Sequence, residues 1–414
     1  MKKLIFTTLI NFLLILSVFA TQLPTDFLAT LNNSPNEEVE EETVVKDPFS
    51  LSFGGNLTTN SILTIYEDKS FILENSENLS LWLKFPLNKT YTSFFACEGF
   101  YDFSIKSAEE QEMIIGNTLD IPLFKFSFNL NLGNTKSTLN LGRFVVADTT
   151  GYILNQTVDG MFARFISDKT DFSLFAGYTG LLNALNVSYF DCPYIVEGNL
   201  YALSPSYVIT SVNAKFNVFN TQFINTEFVA SIDINKLDYH KMFTTLSFNG
   251  SLSKKFYYIL QSTLGMSLKS DGSEDLAISN LSKIDLTSYF DLLNSSLTLY
   301  GVYASSESES LGSFKPITQM QTSLSGKYFS SLVKAGLLYT LKPSSSVYVS
   351  LGSDGICSFD EDSTLIFDGL QWAIESKWQI VSDIYLSVAG QQFISFLEEK
   401  QNQFVVGLKL GFSF

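Results

Sequence analysis

Read with a period of two, this chain is a succession of segments in which apolar side chains alternate with small or polar ones. Phe124, Phe126, Phe128, Leu130 and Leu132 alternate with Lys125, Ser127, Asn129 and Asn131, and Gly133-Asn134 then supplies a turn signal. Val212, Ala214, Phe216 and Val218 alternate with Ser211, Asn213, Lys215 and Asn217 in the same way. So do Phe228, Ala230 and Ile232 with Glu227, Ser231 and Asp233, and Leu246, Phe248 and Leu252 with Thr245, Ser247 and Asn249. A strand sends successive side chains to opposite faces, so each segment predicts one greasy and one polar face. The charged members Lys125, Lys215, Glu227, Asp233 and Lys409 all fall on the polar parity. From Asp47-Pro48 onward the pattern does not change, which predicts one all-β domain over residues 48–414. Its last segment carries Phe404, Val406, Leu408, Leu410, Phe412 and Phe414 on one parity, and Gly407, Lys409, Gly411 and Ser413 on the other. About eleven residues is the length of a tilted strand crossing a bilayer.

The front of the chain has a different character. Lys2 and Lys3, the apolar run Leu4 to Phe19 and the small residue Ala20 read as a cleaved export signal over residues 1–20. Residues 21–47 include Asn32-Asn33-Ser34-Pro35-Asn36 and Glu37, Glu38, Glu40, Glu41 and Glu42, an acidic leader too polar to form a core. No later apolar run is long enough for a spanning helix. An exported chain of this kind is a soluble β protein or a membrane barrel. Hydrophobic residues make up 45% of the sequence and charged ones 16%, below the roughly 25% of soluble domains, and phenylalanine occurs 38 times. A lipid-facing surface with aromatic girdles requires that bias. The expected fold is a transmembrane antiparallel β-barrel, and roughly 20 to 23 residues per strand and connection give about 16–18 strands.

The alternating terminal segment with Phe404, Leu408, Leu410, Phe412 and a final Phe414 resembles the carboxy-terminal strand of bacterial outer-membrane β-barrels. The resemblance implies an outer-membrane location, lipid as surroundings and recognition of this strand by the barrel-assembly machinery. Leu141-Gly142-Arg143-Phe144 followed by Val158-Asp159-Gly160 resembles, over about 25 residues, a strand-loop-strand entry of porin-like channels. In porins, wall arginines face acidic residues on an infolded loop. Carried over, Arg143 and Arg164 become wall cations and Asp148 and Asp159 loop anions of a constriction, and a homotrimer becomes a possible assembly. On parity alone Arg164 points inward. Arg143 shares the parity of Leu139 and Leu141, so it lies above the apolar band or is turned inward by a bulge at Gly142.

Other chemistries find few parts. His240 is the single histidine, in a segment expected to be a turn, and no Gly-x-Ser-x-Gly elbow occurs. Cys97, Cys192 and Cys357 match no zinc or disulfide framework. A formal net charge of −16 disfavours nucleic acid as a partner. No cofactor and no metal site are implied, and no enzyme is expected. The sequence therefore reads as a porin-like channel for passive diffusion of small hydrophilic solutes. Its alternatives are a substrate-specific transport channel and a surface adhesin whose barrel anchors acidic, serine-rich loops.

Overall fold

The structure, a computed structural model, describes residues 51–89, 92–108, 113–190, 192, 200–219, 221–308, 311–320, 324, 329–360, 363–397 and 401–414. The expected signal and leader lie outside them. Eighteen strands follow one another: β1 (Ser52–Tyr66), β2 (Phe71–Pro86), β3 (Ser93–Ala108), β4 (Ile114–Leu132), β5 (Thr135–Ala147), β6 (Asn155–Ile166), β7 (Thr170–Tyr178), β8 (Tyr207–Phe219) and β9 (Gln222–Asp233). The second half holds β10 (Tyr239–Ser253), β11 (Phe256–Lys269), β12 (Ala277–Phe290), β13 (Ser295–Ala304), β14 (Leu332–Ser344), β15 (Val347–Phe359), β16 (Leu365–Val381), β17 (Ile384–Ser395) and β18 (Gln403–Ser413). Each strand pairs antiparallel with its chain neighbours, and β1 pairs with β18 from Asn56↔Ser413 to Tyr66↔Gln403. The sheet is therefore a closed barrel of 18 strands, at the upper end of the expected number. Closure leaves no open edge strand, so the wall pairs its own ladders, as lipid requires.

The two rims differ. Connections after even-numbered strands are mostly tight: Gly133-Asn134 (Gly133 at φ 62), Lys254-Lys255, Ser345-Ser346 and Ser382-Asp383. Connections after odd-numbered strands are longer, and those over residues 179–206 and 305–331 are the longest. An even strand number also brings the start of β1 and the end of β18 to the tight-turn rim. Short turns on one side and long loops on the other are the form of outer-membrane barrels.

Alternation along the strands sorts outside from inside. On β10, Met242, Leu246 and Phe248 are exposed while Lys241, Phe243, Thr245 and Ser247 are buried. The registers carry this parity around the wall: Leu246, Phe124, Phe126, Leu408 and Phe404 face outward, and Lys125, Lys215, Glu227 and Lys409 face the lumen. The outward surface is apolar because lipid, not a second layer of protein, covers it. No described helix is long and apolar enough to cross a membrane; the strands do the crossing.

Strand boundaries depart from the sequence reading in two places. His240, expected in a turn, is the second residue of β10, where its Nδ1 accepts from the Asp233 N–H at 3.2 Å. The loop expected to carry both Asp148 and Asp159 shrinks to residues 148–154, because β5 continues to Ala147 and β6 begins at Asn155. Polar residues such as Gln156 and Asp159 resemble loop residues in composition but sit in a ladder, where tertiary pairing overrides local preference.

Candidate functional site

The lumen is narrowed by chain from three of the long connections. The shortest, residues 148–154, is shaped by Asp148, whose carboxylate accepts from the N–H groups of Thr150 at 2.8 Å, Ile153 at 3.0 Å and Leu154 at 2.9 Å. Gly151, at φ +71, takes the left-handed conformation that this tight reversal needs. Thr149, between them, reaches the wall at β8, β9 and β11. The Thr149 N–H donates to Glu227 Oε2 on β9 at 2.6 Å, and Gln261 on β11 donates to its carbonyl at 3.2 Å. Asn213 on β8 and Asn225 on β9 donate to its hydroxyl at 2.9 and 3.2 Å. A segment that starts between β5 and β6 is thus fastened to strands on another part of the wall.

The other two connections lie against it. Ile317 and Thr318 of the 305–331 connection donate to the Ile153 carbonyl at 2.9 and 3.0 Å. Phe190 of the 179–206 connection donates to the Ile317 carbonyl at 3.1 Å. Ile153, Leu154, Phe314 and Ile317 are fully buried among Phe144, Val158, Phe175, Ile209, Val229, Phe243 and Leu281, which are luminal on their strands. The alternation predicts a polar inner face, and this part of the lumen is apolar. The physical reason is that inserted chain, not water, covers these residues, and each such side chain contributes about 1.5–3 kcal/mol on burial.

One buried cation ties the assembly together. Lys241 of β10 places Nζ 3.1 Å from Asp238 and 3.2 Å from each of the Phe190 and Pro316 carbonyls, so one ammonium holds the 234–238 turn and both long connections. Tyr152 packs its ring 4.1 Å from that of Phe329 and 4.9 Å from Lys283 Nζ. Burial, followed by the nearby carboxylates of Asp285 and Asp354, pushes its phenol up to about 12, so it remains a neutral donor at physiological pH.

The sequence candidates distribute differently. Arg143 and Asp159 come together as direct cross-strand partners, with Nε–Oδ1 and Nη2–Oδ2 both at 2.8 Å. Gly142 sits at φ +117, yet the pairing Phe124↔Arg143 keeps Arg143 on the outward parity. There the β4–β5 ladder stops, and the guanidinium also donates to the Leu181 carbonyl at 2.9 Å and lies 3.7 Å from Asp120. Arg143 thus joins the wall to the 179–206 connection. Asp148 is buried, and it is held by groups of its own segment rather than by an arginine. Arg164 is luminal near the tight-turn rim and is held by Asp171 of β7, Nε–Oδ1 at 2.8 Å.

Lys84, which the alternation did not mark, meets Lys125, on the polar parity in sequence. Both are cross-strand partners of Ala96, on β2 and β4 respectively, and their ammonium groups lie 4.4 and 5.8 Å from the centre of the Phe94 ring. Neither has a carboxylate partner among the described residues. With Lys136, Arg164 and Lys215 they form a luminal arc of five cations from β2 to β8, and Asp171 is the carboxylate seen paired within it. Alternation places Lys125, Lys215 and Arg164 on the polar face; the grouping with Lys84 and Lys136 depends on the registers from β2 to β8.

No family model matches the sequence, and no curated protein does. Solved structures match the fold. Acinetobacter baumannii OccAB4 aligns with a TM-score of 0.58 at 10% identity, over 88% of this chain and 98% of that one. Pseudomonas aeruginosa OccK11 (OpdR) aligns with a TM-score of 0.57 at 8% identity, over 88% and 96%. Pseudomonas aeruginosa OpdK with vanillate aligns with a TM-score of 0.56 at 7% identity, over 88% and 98%. What is shared is the fold. The chain is similar to these proteins along nearly all of the barrel, in strand course rather than in residues.

Proposed function

We propose that this protein is an outer-membrane channel that admits small hydrophilic solutes by passive diffusion and favours anions. The observation that carries the reading is the cationic arc on the luminal wall beside a lumen narrowed by three inserted connections. Fixed charges lining a narrow pore set which ions enter. Lys84 and Lys125 over Phe94 supply two ammonium groups next to an aromatic face, a surface suited to an anion with an apolar part. The insertion of three connections also favours the second reading, a channel selective for particular solutes, over a wide unselective pore. In the similar OpdK structure the bound molecule is vanillate, an aromatic carboxylate, and solutes of that chemistry are the first to try here.

The reading is tested in planar bilayers. Purified protein is expected to give discrete conductance steps with a reversal potential shifted toward anions in a salt gradient. Lys84→Gln with Lys125→Gln should reduce that preference severalfold and leave the barrel folded. A folded protein that never conducts would instead favour the anchoring role. Assembly belongs to the same proposal. β18 closes the barrel on β1, so recognition of its outward row Phe404, Leu408, Leu410 and Phe412 by an assembly machinery would couple recognition to closure. Removal of Phe414 is expected to lower the amount of folded barrel in the outer membrane by at least severalfold, read by heat-modifiable gel mobility. Normal levels would remove the role of the terminal aromatic. The homotrimer that the porin resemblance implies is tested by the mass measurement described next.

A further inference from the structure

We infer that two copies of this barrel meet side by side in the membrane through a polar patch on the outer faces of β1 and β2. Thr59 and Ser61 on β1 are direct cross-strand partners of Glu77 and Asn75 on β2. All four lie on the outward parity, since Thr59 and Ser61 also pair with Leu410 and Leu408 of β18. Glu77 is exposed, and with Asn75 it interrupts an otherwise apolar outward row on β2, between Leu73 and Leu79, with Phe71 and Phe85 toward the two rims. It is not a rim residue. A carboxylate inside the apolar band is costly and marks a functional position by default.

Two other polar groups on the outer wall close on themselves. Arg143 and Asp159, the other outward ions discussed above, neutralise each other. Outward Asn280 donates to the Thr263 carbonyl at 2.9 Å and accepts from Ser282 at 2.9 Å, so that polar group closes on itself. Glu77, Asn75, Thr59 and Ser61 have no side-chain hydrogen bond or ion pair among the described residues. Their donors and acceptors are left for something outside the chain.

A second copy supplies the complement. The patch is a block of two pairs, with the carboxylate acceptor on one strand beside hydroxyl donors on the other. A two-fold axis along the membrane normal, just outside the wall in front of the β1–β2 seam, sets Glu77 of each copy across from Thr59 of the other and Asn75 across from Ser61. Every acceptor then meets a donor, in both directions, as an isologous contact requires. Lipid tails offer none of these groups.

The test is the mass of the protein in a mild non-ionic detergent, with heat-modifiable gel mobility to confirm the fold. Wild type is expected to be a dimer, and Glu77→Leu, which makes the outer face more apolar, a folded monomer with dimerisation weakened at least tenfold. In a Cys97→Ser background, an oxidised equimolar mixture of Ser61→Cys and Asn75→Cys chains should cross-link more than either chain alone. A monomeric or trimeric wild type, a Glu77→Leu protein that stays dimeric, or a mixture that cross-links no better than its parts would each overturn the contact.

Discussion

Asp148→Ala is expected to release residues 148–154 from the lumen and to raise single-channel conductance severalfold, with loss of ion preference. The carboxylate accepts from the backbone N–H groups of Thr150, Ile153 and Leu154, and Asp148 is buried. Hydrogen bonds to a charged acceptor contribute about 1.5–3 kcal/mol each, and an orphaned buried donor costs about 1–3 kcal/mol. Opposing release is the burial of Ile153 and Leu154, worth about 1.5–3 kcal/mol apiece. The two sides are of similar size, and the bonds of Thr149 to Glu227, Gln261, Asn213 and Asn225 depend on the turn that the carboxylate shapes. The consequence spreads, because Ile317 and Thr318 donate to the Ile153 carbonyl and would lose their acceptor. Conductance in a planar bilayer reads the outcome directly. Wild-type steps from Asp148→Ala would mean that apolar packing alone keeps the segment in place.

Much of the barrel was legible because lipid imposes one requirement on every strand. Outward residues such as Leu246 and Phe404 are predominantly apolar, so alternation survives from strand to strand, and strand number follows from length. The inserted connections were not legible for a related reason. Phe144, Ile209, Phe243 and Leu281 are apolar residues on the polar parity, and their only trace in sequence is that exception. Which chain covers them depends on contacts such as Thr149 with Glu227, between residues far apart in sequence, and composition cannot pair them. Arg143 shows both sides of the limit. Its outward parity was readable, whereas its partner Asp159 required the turn length, and the turn was read too long. Glu77 lies in an acidic, polar stretch that resembles a loop in composition, and its meaning depends on Thr59 beside it across the ladder.

Lys241→Ala is expected to destabilise the folded barrel by about 3–5 kcal/mol, the usual cost of removing one member of a buried ion pair. Lys241 and Asp238 are both almost wholly buried, and the pair is 3.1 Å apart. Without the ammonium, Asp238 retains the Tyr207 hydroxyl at 3.0 Å on Oδ2, while its Oδ1 has no hydrogen-bond partner. The Phe190 and Pro316 carbonyls lose their shared donor as well, so the two long connections loosen together. Desolvating both ions is itself expensive, and apolar replacements of similar shape are often neutral. Lys241→Met combined with Asp238→Asn is therefore expected to recover most of the loss, since the neutral amide oxygen that replaces the carboxylate can still accept from Tyr207. Denaturant unfolding of the refolded barrel in detergent compares the three proteins. If Lys241→Ala stays within about 1 kcal/mol of wild type, the apolar cluster holds the connections without the ion pair. If the double variant is no better than the single one, the lost donor to the two carbonyls outweighs the stranded carboxylate, and the lysine acts chiefly as a backbone clamp.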